Sequence, residues 1–271
     1  MVRFVVYDLF TQKILVGLLL TTFERILQVK QDRGAGYFML IDPDKWDSNE
    51  IVDLAMQANA AGADAVLVGG SLLLSSSFDE LVKVIKKQID IPLIIFPGGT
   101  TQVSRYADAL FFLSLLSGRN STYLIGEQVR AAPVIKALGI EPISVGYLLV
   151  ESGSTTSAEF MSNTRPIPRN KPDIAKATAL AAEYFGMQMV YLEAGSGAQK
   201  SVPDEMIAQV REYITIPLIV GGGIRTPEAA AKKTQAGAAF VVIGNILEHS
   251  GNQSLMKEFA EAIHTESSSL N

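Results

Sequence analysis

The chain contains no cysteine. That excludes disulfides, thiolate zinc sites, iron–sulfur clusters and cysteine nucleophiles. Histidine is almost as scarce: His249 and His264 are the two present, both near the C-terminus. A histidine-built metal site or a Ser–His–Asp triad has too little to draw on. Excess positive charge is missing as well. The net charge is -5 at pH 7 and no block of Lys and Arg occurs, which argues against nucleic-acid binding. An anionic ligand must therefore be held locally, by backbone N–H groups, helix N-termini or a metal. Long apolar runs are also absent. Residues 2–20 are apolar but broken by Arg3, Asp8 and Lys13. The uncharged stretch 14–23 is about half the length of a membrane span, and no small-residue cleavage site follows the apolar run 14–20. The expectation is a cytoplasmic protein, with an N-terminal extension over residues 1–30 and one domain over residues 31–271.

Apolar material is plentiful. Hydrophobic residues make up 48% and charged residues 19% of 271, enough for one large α/β barrel or two smaller domains. Short β-branched or aromatic runs recur at 37–41, 65–68, 93–96, 109–113, 143–149, 189–192, 218–220 and 240–243. Several are apolar throughout, as strands covered on both faces should be. Helical periodicity fills most gaps, at 48–61, 77–88, 126–138, 172–185, 203–213, 227–235 and 254–263, with a short candidate at 101–106. Pro133 predicts a kink or a later start in the third of these. Strict alternation predicts a parallel sheet, and eight units in about 235 residues predict a closed (β/α)8 TIM barrel, with a doubly wound open sheet as the alternative. The polar stretch 151–170 exceeds an ordinary loop and reads as a lid or a short extra element.

A TIM barrel carries its chemistry at the C-terminal ends of its strands. Those ends read Asp42-Pro43-Asp44-Lys45, Gly69-Gly70-Ser71, Pro97-Gly98-Gly99-Thr100, Glu193-Ala194-Gly195-Ser196-Gly197-Ala198, Gly221-Gly222-Gly223-Ile224-Arg225 and Gly244-Asn245. Glycine lets backbone approach a ligand, and a following helix N-terminus adds partial positive charge. Three glycine turns after strands 6, 7 and 8 therefore read as a phosphate cradle, against the plainer reading of tight turns. Asp42 and Ser71, on neighbouring strand ends, suit a hard cation such as Mg²⁺. Asp42 could equally cap the turn before Pro43. Glu193 at a strand end reads as catalytic or as a ligand to hydroxyls, because burying an unpaired carboxylate is costly.

The run Tyr191-Leu192-Glu193-Ala194-Gly195-Ser196-Gly197, with Val220 to Arg225 and Ile243-Gly244-Asn245, resembles geranylgeranylglyceryl phosphate synthase and its bacterial heptaprenyl relatives. Leu40 to Lys45, Gly69 to Ser71, Ile94 to Gly98 and Pro142 to Leu148 resemble the same family, so that the likeness spans about residues 30–265. Length and Asn245 look more like its larger, second group. The resemblance implies a prenyltransferase that joins a polyprenyl diphosphate to sn-glycerol 1-phosphate. It assigns Tyr191, Leu192, Glu193, Ala194, Gly195, Ser196, Gly197, Gly222, Gly223, Gly244 and Asn245 to glycerol 1-phosphate, and Asp42 and Ser71 to Mg²⁺. Glu193 becomes the expected catalytic residue, positioning the C3 hydroxyl and accepting its proton. The apolar channel for the prenyl tail is expected between Phe96 and Leu116, near Tyr106, Phe111 and Phe112. A homo-oligomer, with peripheral membrane contact at product release, is the expected setting. Two other functions compete: another phosphate-binding barrel synthase, aldolase or isomerase, and a non-catalytic glycerol-phosphate sensor. No strand carries a lysine, which weakens a Schiff-base aldolase.

Overall fold

The computed structural model describes residues 20–45, 47–73, 78–244, 246 and 253–265. Eight parallel strands close into a barrel in sequence order, with β1 (Gly36–Ile41) bonded to both β2 (Ala65–Val68) and β8 (Phe240–Ile243). β3 (Leu93–Ile95), β4 (Ala109–Leu115), β5 (Glu141–Leu149), β6 (Met189–Glu193) and β7 (Leu218–Gly221) complete it. Closure through the β1–β8 pair rules out the open doubly wound sheet.

Alternation along each strand divides the apolar residues into two layers. One set, including Phe38, Leu67, Phe111, Val145, Tyr191 and Ile219, fills the barrel. The other, including Met39, Val66, Leu110, Leu148, Leu192 and Val220, packs outward against the helices. Those helices are α2 (Ser48–Ala60), α3 (Phe78–Lys86), α4 (Glu127–Leu138), α6 (Pro172–Tyr184), α7 (Asp204–Tyr213), α8 (Pro227–Gln235) and α9 (Gln253–Ile263). α2 begins at a full capping box. Asp47 accepts from the Glu50 N–H, and the Glu50 side chain accepts from the Asp47 N–H.

Four local findings bear on the sequence expectations. A helix, α1 (Thr22–Arg33), crosses the boundary drawn at residue 30. Its Ile26 is fully buried among the interior strand residues Phe38 and Phe240, so it plugs the strand-start end of the barrel. Residues 101–106 form no helix. β3 passes to β4 through a loop, which leaves that sector of the barrel open. The stretch 151–170 contains a short helix, α5 (Ser157–Ser162), capped by the Thr156 hydroxyl. Finally, α4 follows a π-helical turn over Thr122–Gly126 and keeps Pro133 inside it. Among the described residues no helix is long and apolar enough to cross a membrane.

Candidate active site

The strand-finish end of the barrel holds a polar cavity of about 1450 Å³, its open mouth included. Asp42, Ser71, Tyr191, Glu193, Gly195, Ser196, Gly197, Gly222, Gly223 and Gly244 all line it. The topology thus gathers almost every candidate residue in one place. Leu192 and Ala194 do not line it. Their side chains pack in the layer beneath the helices, and the Ala194 N–H is already given to Gly221 O at 3.0 Å. Asn245 lies outside the described residues.

Glycine is required where the turns press on Glu193. Gly222 has φ 83°, and a Cβ there would lie 2.3 Å from Glu193 Oε1. Gly223 has φ 68° and would strike the Lys200–Ser201 backbone. After that turn Thr226 caps α8, accepting from the Ala229 N–H at 3.2 Å, with Pro227 in the first turn. An anion resting on the turn therefore meets the positive end of a helix dipole. Arg225 fixes the facing loop by donating to Ala198 O and Gln199 O at 2.6 and 3.1 Å.

Glu193 is 4% exposed. Its Oε1 accepts from the Gly195 N–H at 2.5 Å. Burial raises its pKa from 4.5 to about 7, against the opposing pull of the Gly195 N–H and the nearby Tyr191 phenol. The Tyr191 hydroxyl lies close enough to exert that pull, yet it is buried and makes no well-formed hydrogen bond. Burial, with the Glu193 charge second, holds the phenols of Tyr147 and Tyr191 well above the ordinary tyrosine range, so both stay neutral. Burial thus moves the Glu193 carboxyl toward neutrality, which suits a general base.

On the opposite wall Asp42 accepts from the Asp44 N–H at 3.3 Å and pairs with Lys45 at 3.6 Å. The next strand end is braced by Gln102, which donates to Gly70 O and accepts from the Gly70 N–H. A Cβ at Gly70 would sit 2.9 Å from Asp42 Oδ1, so glycine there keeps the carboxylate face open. Among the described residues no three His, Asp or Glu side chains form a self-sufficient metal site.

A second, apolar groove of about 910 Å³, mouth included, opens beside the first. It occupies the sector left bare by the helix-free β3–β4 connection. Phe96, Phe111, Phe112 and Leu115 line it, as the expected channel region implies, and Tyr106 does not. Its far wall is made by Tyr123, Gln128, Ala131 and Ile135, and by Ala158 and Met161 of α5. Gln128 ties the π-helical turn to β4 by donating to Tyr123 O and Leu113 O. The two spaces share Gly70, Ser71, Phe96, Tyr147 and Ala158, and so meet. Sequence reasoning missed Tyr147 at this seam. Its place in the run 143–149 was readable, but its facing Phe96 and Tyr191 depends on barrel register.

Residues 27–263 match the PcrB family. The chain belongs to that family. A protein of Chitinophaga pinensis named geranylgeranylglyceryl phosphate synthase is 47% identical over 228 residues, covering 84% of this chain and 90% of the relative. One of that name from Methanothermobacter thermautotrophicus is also 47% identical, over 84% of this chain and 92% of its own. The crystal structure of (S)-3-O-geranylgeranylglyceryl phosphate synthase from Thermoplasma acidophilum, in complex with sn-glycerol-1-phosphate, superposes with a TM-score of 0.86. It has 38% identity and covers 91% of this chain and 99% of that one. The thiamine phosphate pyrophosphorylase of Pyrococcus furiosus, 13% identical with a TM-score of 0.57, shares the fold alone with this PcrB member.

Proposed function

We propose that this chain transfers a geranylgeranyl or other polyprenyl group from its diphosphate to the C3 hydroxyl of sn-glycerol 1-phosphate. The observation that carries the reading is the meeting of a polar, glycine-walled cavity with an apolar groove, beside a buried carboxylate of raised pKa. A phosphate-only sensor or small-sugar enzyme has no use for the groove.

The phosphate of glycerol 1-phosphate rests on the glycine turns after β6, β7 and β8, with Tyr191 and Glu193 against the glycerol. The prenyl tail lies along the groove, which brings its diphosphate end to Ser71 and Asp42. Asp42 and Ser71 offer hard oxygen donors but a single carboxylate, and these two residues would hold a Mg²⁺ ion brought with the diphosphate. When bound, Mg²⁺ would offset diphosphate charge and make it a better leaving group. The allylic C1–O bond breaks with its electron pair leaving on diphosphate. The C3 oxygen bonds to C1, and its proton passes to Glu193. Holding the two reactants at a common seam supplies the proximity.

The same proposal places product release at a membrane surface and the enzyme in a cytoplasmic homo-oligomer. Exposed Ile125, Val129 and Phe160, on the elements that wall the groove, offer apolar surface for either contact. Labelled glycerol 1-phosphate, geranylgeranyl diphosphate and Mg²⁺ test the reaction directly, with EDTA and the sn-3 isomer as controls. Label should enter the organic phase with Mg²⁺ and from the sn-1 isomer alone. Binding of glycerol phosphate with no transfer from any prenyl donor would overturn the reading in favour of a sensor.

A further inference from the structure

The turn Gly195-Ser196-Gly197 lines the polar cavity, with φ of 101° and 71° at its two glycines. Its entry is fixed by the Gly195 N–H, which donates to Glu193, and it closes through the Ala198 N–H, which donates to Gly195 O at 3.1 Å. Two glycines around a serine have much backbone freedom. Such a turn meets an anion already shaped only if it is held from outside. The hold lies just beyond its exit. Arg225 donates to Ala198 O and Gln199 O at 2.6 and 3.1 Å. Arg169 donates to Ser201 O at 3.0 Å and to Glu151 O at 2.8 Å. The buried Lys233 donates to Val202 O at 2.7 Å and pairs with Asp204 at 2.5 Å. Cations from the β7–α8 turn, from the loop before α6 and from α8 thus take the carbonyls of Ala198, Gln199, Ser201 and Val202. We propose that Arg169 and Arg225 are positioning residues for glycerol 1-phosphate, which hold Gly195–Gly197 in its binding shape through the backbone of residues 198–201 and do not touch the phosphate.

The inference rests on the proposed glycerol 1-phosphate site and extends it to residues behind the cradle. A guanidinium offers its donors in a rigid fork, so one side chain fixes two carbonyls with charge-assisted bonds. Arg225 spans neighbouring peptides of one loop. Arg169 spans two loops, and the Lys200 N–H, donated to Ser152 O at 3.1 Å, repeats that tie. A loop held this way loses less freedom when a ligand arrives, and the gain appears as affinity for that ligand. The competing reading makes Arg225, which is exposed and lines the cavity, a direct ligand of the phosphate. Its two carbonyl partners speak against that. Arg169 is not among the residues lining the cavity, so it separates the two readings.

Arg169→Met and Arg225→Met are made in the full-length chain. Calorimetry with glycerol 1-phosphate gives Kd, transfer assays give KM and kcat, and urea unfolding gives stability. Both variants should raise Kd and KM for glycerol 1-phosphate by on the order of 10-fold. KM for geranylgeranyl diphosphate should stay within about twofold. Arg169→Lys, which keeps one donor group but not the fork, should fall between parent and Arg169→Met, and it decides the case alone if the methionine variant does not fold. A folded Arg169 variant with the parent's Kd overturns the inference and leaves Arg225 as a direct ligand. Equal rises in both KM values overturn it in favour of general loosening. A parent that binds glycerol 1-phosphate without transferring prenyl overturns the proposed function while the calorimetric arm still tests this inference. A parent that binds none overturns both.

Discussion

Where the strands begin, Asp64 accepts from the Tyr37 N–H at 2.7 Å, pairs with Arg33 at 2.9 Å and lies 2.8 Å from His264 Nε2. Where the strands finish, Glu193 is as deeply buried and accepts the Gly195 N–H, and among the described residues no ion pair to it is found. Asp108 and Glu141 follow the first pattern. Asp108 takes Lys86 and the Leu93 N–H, both at 2.7 Å. Glu141 takes the first-turn N–H groups of Thr22 and Phe23 at 2.6 and 3.1 Å, and so fastens α1 across the barrel end. Carboxylates at one end are matched by donors and hold the fold together. Glu193 at the other end has no charge partner among the described residues, and burial raises its proton affinity, which suits the proposed role of accepting a proton from substrate. One barrel thus separates stability from chemistry along its axis.

Glu193→Gln should break the chemical end most severely. Turnover should fall roughly 10²- to 10⁴-fold, with prenyl diphosphate binding little changed, measured by steady-state kinetics and by titration with the diphosphate. Equal turnover would remove Glu193 from the mechanism. The same variant has the opposite effect on stability. A carboxyl raised from 4.5 to about 7 binds its proton more tightly when folded, so its contribution to stability is greatest in acid and falls as pH rises through that window. At about pH 8 the neutral amide should unfold at higher urea, by up to ~2 kcal/mol.

Asp64→Asn tests the opposite end. It strips Arg33 of its charge partner and alters the contact to His264, and should cost about 3 kcal/mol in urea unfolding, while kcat of the folded fraction stays at the parent value. A loss of kcat with stability intact would collapse the distinction between the two ends. Gly222→Ala should cost about 1–3 kcal/mol through its φ of 83° and its contact with Glu193, and should weaken glycerol phosphate binding more than prenyl diphosphate binding in calorimetry. Glu141→Gln keeps one acceptor for α1 and should lower stability by about 1 kcal/mol without touching turnover.

The barrel was legible because eight apolar runs alternate with helical patterns, and most predicted strands match the observed ones within a residue or two at either end. Asp42, Ser71 and Glu193 were legible for a related reason: strand ends in this fold converge, so a residue's position in its run tells which end it occupies. What periodicity could not supply was anything set by register or by absence. The helix-free span after β3 looks locally like a weak helix at 101–106, yet the opening it leaves is what makes the groove. Phe96 falls just past β3, and the pairing of Tyr147 with Tyr191 comes from the β5–β6 register. Their convergence is a property of the closed barrel, not of any segment. The boundary at residue 30 follows the apolar stretch before it, whereas the Thr21–Glu24 capping box marks the start of α1 at residue 22.

The pH dependence of kcat/KM, compared between the parent and Glu193→Gln, tests the role of the buried carboxylate most directly. The parent should rise about tenfold per pH unit in acid and level off above an inflection near 7, and the residual rate of the variant should lack that limb. A limb that survives unchanged in Glu193→Gln would belong to the substrate phosphate, and it would contradict the assignment of Glu193 as the base.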